Sequence, residues 1–145
     1  MSDQISAILP NDSVGAATIN KSKLRLLIEA MRPYQWSKNL FVLAPLLFAK
    51  RIMEPEAVGY SLMAFVVFCF LASGLYIFND WRDIEEDRAH PHKRNRPLSS
   101  GLLPVTIALA ASVVLVLGAL GLASLISFQF LSIAIVYFWT VASAL

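Results

Sequence analysis

Asn79, Asp83 and Asp87 recur at intervals of four residues. On an α-helix that spacing stacks three oxygen-bearing side chains in one stripe, a turn apart. Asp80 lies beside the stripe, three residues before Asp83. Five basic residues, Arg82, Arg88, Lys93, Arg94 and Arg96, share the stretch Phe78–Gly101. A row of hard oxygen ligands suits Mg²⁺, which commonly takes a few carboxylates and substrate phosphates and keeps some of its water. The basic residues suit the phosphates. Diphosphate departs readily when a metal and cationic side chains neutralise its developing charge. The stretch therefore predicts Mg²⁺ bound by Asn79, Asp83 and Asp87. It also predicts transfer of a group from a diphosphate donor to a lipid-soluble acceptor, done at a membrane face.

The same residues have a plainer reading, a solvated juxtamembrane helix. Glu85 and Glu86 alternate with Arg82 and Arg88 as on any charged face. The residues alone leave both readings open. His90 and His92 are two apart and cannot share a helix face as a zinc pair, so both are expected in a loop without a metal. Lys93 and Arg96 read either as topology-setting charges or as phosphate contacts. Tyr137 and Trp139 read as packing or interface residues. Cys69, the single cysteine, lies in an apolar run and reads as a small hydrophobe.

The elements that must position these residues are membrane helices. The chain has 145 residues, 57% of them hydrophobic, and a mean hydropathy of +0.63. That is too apolar for an ordinary soluble domain, and nucleic acid is not an expected partner. Residues 1–20 are polar, lack a secretory-signal apolar stretch and read as a disordered tail. Leu24, Leu27, Ile28 and Met31 form one face of an amphipathic helix. Arg32-Pro33 should break it.

Spans are expected at about 35–50, 57–79, 103–125 and 128–145. The second contains no charge over its 23 residues, enough to cross a hydrocarbon core of about 30 Å. No charge follows Arg96, a run of 49 residues. Small residues Ala108, Ala111, Ser112, Gly118 and Gly121 should let the third helix approach its neighbours. Lys38 falls in the first span and must snorkel or face a polar cavity. Lys and Arg cluster before the first span and in the central loop. The positive-inside rule then puts the N-terminus and the acidic loop in the cytoplasm, with four crossings of the inner membrane.

The run N-D-x-x-D-x-x-x-D, followed by H-P-x-K-x-x-R-P-x-x-S-G, resembles the first aspartate-rich motif of the UbiA superfamily of intramembrane prenyltransferases. With R-P-x-Q-W-x-K-N at Arg32–Asn39, it is most similar to the phosphoribosyl-transferring branch. The resemblance implies an all-α bundle of nine membrane helices, of which this chain would be the N-terminal part. It implies that Asn79, Asp83 and Asp87 bind Mg²⁺ and the donor diphosphate, Asp83 and Asp87 being catalytic. Asp80, Lys93 and Arg96 would contact the substrate, and Lys38 would face the polar cavity. The implied donor is phosphoribosyl pyrophosphate and the implied acceptor a polyprenyl phosphate. Other members prenylate an aromatic ring from a polyprenyl diphosphate. The family also carries a second acidic motif, and this chain has no Asp or Glu after Asp87. An inactive four-span remnant that associates with other helices is the alternative to an enzyme.

Overall fold

The computed structural model describes residues 22–145, and the expected polar tail at residues 1–20 lies outside them. Among the described residues the chain is all-helical. Helix α1, Lys23–Met31, begins at Ser22, whose Oγ accepts the N–H of Arg25. It buries Leu26 and Ala30, while Leu24 and Ile28 stay exposed. The buried stripe is thus rotated from the expected Leu24–Leu27–Ile28–Met31 face. The cause is the docking of α1 on Ile77 and on Leu98 and Leu103 of the central loop.

Arg32 ends α1 in the left-handed region, at φ 54°. The next segment covers most of the span expected at 35–50, wound differently from a continuous α-helix. It is a 3₁₀ helix, Pro33–Leu43, followed by a five-residue helix α2, Ala44–Phe48. The prolines explain the change. Pro45 has no N–H to offer the carbonyl of Phe41, and the N–H of Ala44 takes that carbonyl instead. The tighter winding also lengthens the segment, because a 3₁₀ helix rises about 2.0 Å per residue against about 1.5 Å for an α-helix.

Helix α3, Pro55–Arg82, is the axis of the fold. The 3₁₀ segment runs antiparallel to it and is clipped to it by polar contacts. Asn39 Nδ2 lies 3.7 Å from Cys69 Sγ. Trp36 Nε1 donates to Ser73 Oγ at 2.9 Å, and Ser73 Oγ donates to the carbonyl of Met31 at 2.8 Å. The Arg32 guanidinium lies 5.0 Å from the centroid of the Tyr76 ring. In an apolar surround such groups must find partners within the protein.

Two long apolar helices complete the described chain. Helix α4, Ile84–Ala89, is short and belongs to the site below. Helix α5 spans Val105–Ile126 and α6 spans Phe128–Ala144, with extended Ser127 between them. Helices α3 and α5 are long and apolar enough to cross a membrane, and α6 is apolar over 17 residues. Phe68 of α3 packs edge-on against Phe130 and Tyr137 of α6. Trp139 is exposed.

The small residues that bring helices together are not all those expected. Ala108, Ser112, Ala119 and Ala123 of α5 are buried, whereas Gly118 and Gly121 face open space. The closest approach is at Gly74 of α3. Ser112 Oγ donates to the Gly74 carbonyl at 2.7 Å. A Cβ on Gly74 would lie 2.7 Å from Val116 Cγ2 and 3.1 Å from the Ser112 carbonyl oxygen. Gly74→Ala is therefore expected to cost about 1–3 kcal/mol through overpacking. Thermal unfolding in detergent micelles checks this, with Gly118→Ala as the neutral control.

Candidate functional site

The site forms where α3 leaves its apolar partners. Asp83 interrupts the helix, with φ −95° and ψ 13°, and α4 restarts it at Ile84. The interruption preserves the four-residue register. The Asp83 N–H donates to the Asn79 carbonyl at 3.0 Å, and the Asp87 N–H donates to the Asp83 carbonyl at 2.8 Å. Asn79, Asp83 and Asp87 therefore remain one turn apart in hydrogen-bonding terms.

After α4 the chain turns at His90, whose Nδ1 accepts the backbone N–H groups of His92 and Lys93. The histidines thus build a turn. Leu98 and Leu103 then pin the loop into the core beside Leu26, Ala30 and Ile77. Arg88 Nε donates to the Ser99 carbonyl at 3.1 Å. Through these anchors Lys93 and Arg96 are folded back over the acidic helix.

Two of the carboxylates are buried and heavily paired. Asp80 is 2% exposed and Asp87 is 1% exposed. Arg96 Nη1 donates to Asp80 Oδ1 at 3.2 Å and to Asp87 Oδ2 at 2.7 Å. Arg32 Nη2 donates to the same Asp80 Oδ1 at 2.5 Å. Lys93 Nζ lies 3.9 Å from Asp87 Oδ1, and Ser99 Oγ is 3.5 Å from Asp87 Oδ2. Arg96 thus counters part of the mutual repulsion of two carboxylates that are costly to bury as anions.

Asn79 and Asp83 are placed differently. Arg82 reaches both, with Nη2 3.2 Å from Asn79 Oδ1 and Nε 3.3 Å from Asp83 Oδ1. One guanidinium bridges the pair, each oxygen meeting a different nitrogen of Arg82. Asp87 sits one turn further on, and its carboxylate is shared with Arg96 and Lys93. Among the described residues no group of three or more His, Cys, Asp or Glu side chains converges on one point.

Asp80, Asp87, Lys93 and Arg96 are thus gathered into one ion-pair network, while Asp83 and Asn79 form a second group beside it on Arg82. Lys38 is not part of it. It lies exposed on the 3₁₀ segment, and no ion pair joins it to these acids among the described residues. Arg32 is the participant that the local pattern missed. Its partner is 48 residues away in sequence. The only available signal was a cation beside Pro33 at the head of an otherwise apolar segment. The cations Arg32, Arg82, Lys93 and Arg96 stand against the carboxylates Asp80, Asp83 and Asp87, with Glu29 beside Arg32 and Arg96 in the adjoining pocket, so the cluster is close to neutral.

Residues 40–144 match the UbiA prenyltransferase family. A decaprenyl-phosphate phosphoribosyltransferase of Corynebacterium glutamicum is 46% identical over 101 residues, covering 68% of this chain and 30% of that protein. The protein of the same name from Mycolicibacterium smegmatis is 45% identical over 104 residues, 69% of this chain and 31% of that protein. A third, from Mycobacterium tuberculosis, is 46% identical over 92 residues, 61% of this chain and 30% of that protein. The chain thus spans about 30% of the length of these curated relatives.

Proposed function

The chain belongs to the UbiA prenyltransferase family, and from this premise we propose that it carries the donor-binding motif of a membrane transferase. The proposed donor is phosphoribosyl pyrophosphate and the proposed acceptor a polyprenyl phosphate. The names of the similar proteins support that choice. The observation that carries the reading is the network at the end of α3. Three carboxylates and four cations collect where a helix uncharged from Ala57 to Asn79 reaches its first acids.

In the proposed reaction a phosphate oxygen of the acceptor attacks the anomeric carbon of the donor. The bond from that carbon to the diphosphate oxygen breaks, and diphosphate leaves with the electron pair. Asn79, Asp83 and Asp87 would hold Mg²⁺. When bound, Mg²⁺ supplies charge neutralisation for the departing diphosphate. Lys93 and Arg96 donate hydrogen bonds to donor phosphates, which suits their charge and their position over the acidic helix. Asp80 holds Arg96 in place. The polyprenyl acceptor reaches the site from the bilayer. The distribution of Lys and Arg supports a cytoplasmic site on the inner membrane, where a soluble phosphorylated donor is available.

Membranes containing the protein, supplied with Mg²⁺, polyprenyl phosphate and ribose-labelled phosphoribosyl pyrophosphate, test this reading. Label is expected to enter the organic phase. Ribose label that stays in water, while a labelled prenyl diphosphate alkylates an aromatic acid, would replace this reading with aromatic prenylation.

A further inference from the structure

Cys69, Ser73, Tyr76 and Asp80 recur along α3 at helical spacing and so share one face of it. Each meets the antiparallel segment, in reverse order. Cys69 meets Asn39, Ser73 meets Trp36 and the Met31 carbonyl, and Tyr76 and Asp80 both meet Arg32. The stripe thus climbs from the apolar part of α3 to the acidic network and ends on the carboxylate that Arg32 shares with Arg96.

Ser73 is the member of this stripe that grips both sides of Arg32. It is fully buried, and its hydroxyl donates to the carbonyl of Met31, the residue before Arg32. The same hydroxyl accepts the indole N–H of Trp36, four residues after Arg32. The Met31 carbonyl lies in the last turn of α1, where the helix offers it no N–H. Ser73 has a local alternative. Ser124 and Ser132 donate to carbonyls three and four residues back in their own helices, and a buried serine can be satisfied in that way. The cross-link is therefore not needed to satisfy Ser73. The corner that it grips is strained, because Arg32 bears a side chain at φ 54°. Pro33 fixes the backbone just after it. Strain of this kind persists where the surroundings over-determine it.

We propose that Ser73 is a positioning residue for the diphosphate site, acting through Arg32. The held corner aims the Arg32 guanidinium at Asp80 Oδ1, the oxygen that also accepts from Arg96 Nη1. Asp80 is buried, and an anion there must be matched by a cation. With Arg32 in place, Arg96 shares that duty, bridges to Asp87 and retains further N–H donors for a phosphate. With the corner released, Arg32 withdraws and Arg96 must match Asp80 without it, which draws its donors inward. This deepens the transferase reading and rests on it in one respect, that Arg96 contacts donor phosphates. Ser73 itself lies two helical turns from Asp80 and acts only through its neighbours.

Calorimetric titration of the purified protein in detergent micelles, with pyrophosphate in Mg²⁺, tests this. Ser73→Ala should weaken pyrophosphate about tenfold. Ser73→Thr restores the hydroxyl and should return the affinity to within about threefold of the parent. Trp36→Phe loses the indole donor and keeps the bond from Ser73 to Met31, so a weakening of about threefold is expected. Ser112→Ala is the matched control. It also removes one buried serine bond between helices, to the Gly74 carbonyl, in a contact that does not include Arg32. It should lower the unfolding temperature as Ser73→Ala does, yet leave pyrophosphate within about twofold. With labelled donor, Ser73→Ala should raise KM by about the same tenfold and keep kcat within about threefold. Equal weakening in Ser73→Ala and Ser112→Ala overturns the proposal and leaves Ser73 a structural role. Parent-like affinity in Ser73→Ala overturns it too, as does a threonine variant no better than alanine. Where Ser73→Ala does not fold, parent-like affinity in Trp36→Phe overturns it. A parent protein that ignores pyrophosphate overturns both this proposal and the transferase reading. The expected order of variants without label transfer to polyprenyl phosphate overturns the transferase reading alone.

Discussion

Asp83→Asn is expected to lower donor-dependent transfer by about 100-fold or more while leaving folding almost unchanged. Its carboxylate is partly exposed and, among the described residues, pairs with Arg82. An exposed pair of this kind contributes about 0–1 kcal/mol, so stability should scarcely respond. Turnover should respond strongly, because the lost charge is the one best placed to hold a cation against the departing diphosphate. Losses of about 10²–10³ are typical when one group stabilising a developing anion is removed. Asp87→Asn should lose turnover to a similar degree, with a different signature. Asp87 is buried against Arg96, Lys93 and Ser99. Removing its charge leaves Arg96 with one carboxylate in place of two. Breaking a buried pair costs about 3–5 kcal/mol, and Arg96 keeps Asp80, so a loss at or below the lower end of that range is expected. Label transfer and thermal unfolding measured on both variants separate the two roles. Equal stability loss in both, or full turnover in either, would contradict the assignment.

Arg32→Ala carries the largest expected stability effect, about 3–5 kcal/mol. It removes one of two guanidiniums from buried Asp80 and the cation over the Tyr76 ring. It also leaves an L-residue at φ 54°, where the left-handed conformation remains unfavourable. Arg32→Gly removes the same side chain but relieves that strain, which is worth about 1–2 kcal/mol. The glycine variant should therefore unfold at a higher temperature than the alanine variant and below the parent. The order parent, glycine, alanine assigns the loss to the ion pair and the strain separately. Glycine at or above the parent would mean that the Arg32–Asp80 pair contributes nothing net. The difference matters for function because Arg32 and Arg96 share one oxygen of Asp80. Without Arg32, Arg96 is left as the guanidinium on Asp80 while still tied to Asp87.

What the sequence made legible was local. The uncharged run from Ala57 to Asn79 announces α3, because only an apolar helix of that length suits a bilayer core. The four-residue recurrence of Asn79, Asp83 and Asp87 announces a stripe, and backbone bonds preserve it even where Asp83 interrupts the helix. The break near Ser127 follows from turn-compatible residues between two apolar runs.

What escaped was set by distance or by competition. The partners of Asp80 lie 48 and 16 residues away, and no local spacing encodes such pairs. Seen from sequence, either a metal ion or neighbouring basic groups could relieve the repulsion of the carboxylates. In the fold, arginines provide that relief for Asp80 and Asp87. The 3₁₀ winding at Pro33–Leu43 was hidden because hydropathy registers apolar length and ignores the donor that Pro45 lacks. Lys38 shares its motif with Trp36 and Asn39, which do clip onto α3, yet it points to the exposed side. Gly118 and Gly121 look like contact residues by type, but rotation about α5 turns them away from α3 and gives that role to Ser112. Helical phase, unlike composition, is decided by the partner.

Calorimetric titration of the purified protein with pyrophosphate, in Mg²⁺ and again in EDTA, interrogates the site most directly. Tight binding in Mg²⁺ that falls at least about tenfold in EDTA is expected if a divalent ion joins Asn79 and Asp83 to the diphosphate. Equal binding in both solutions would mean that the arginines and Lys93 hold the anion unaided, and that no metal belongs to this site.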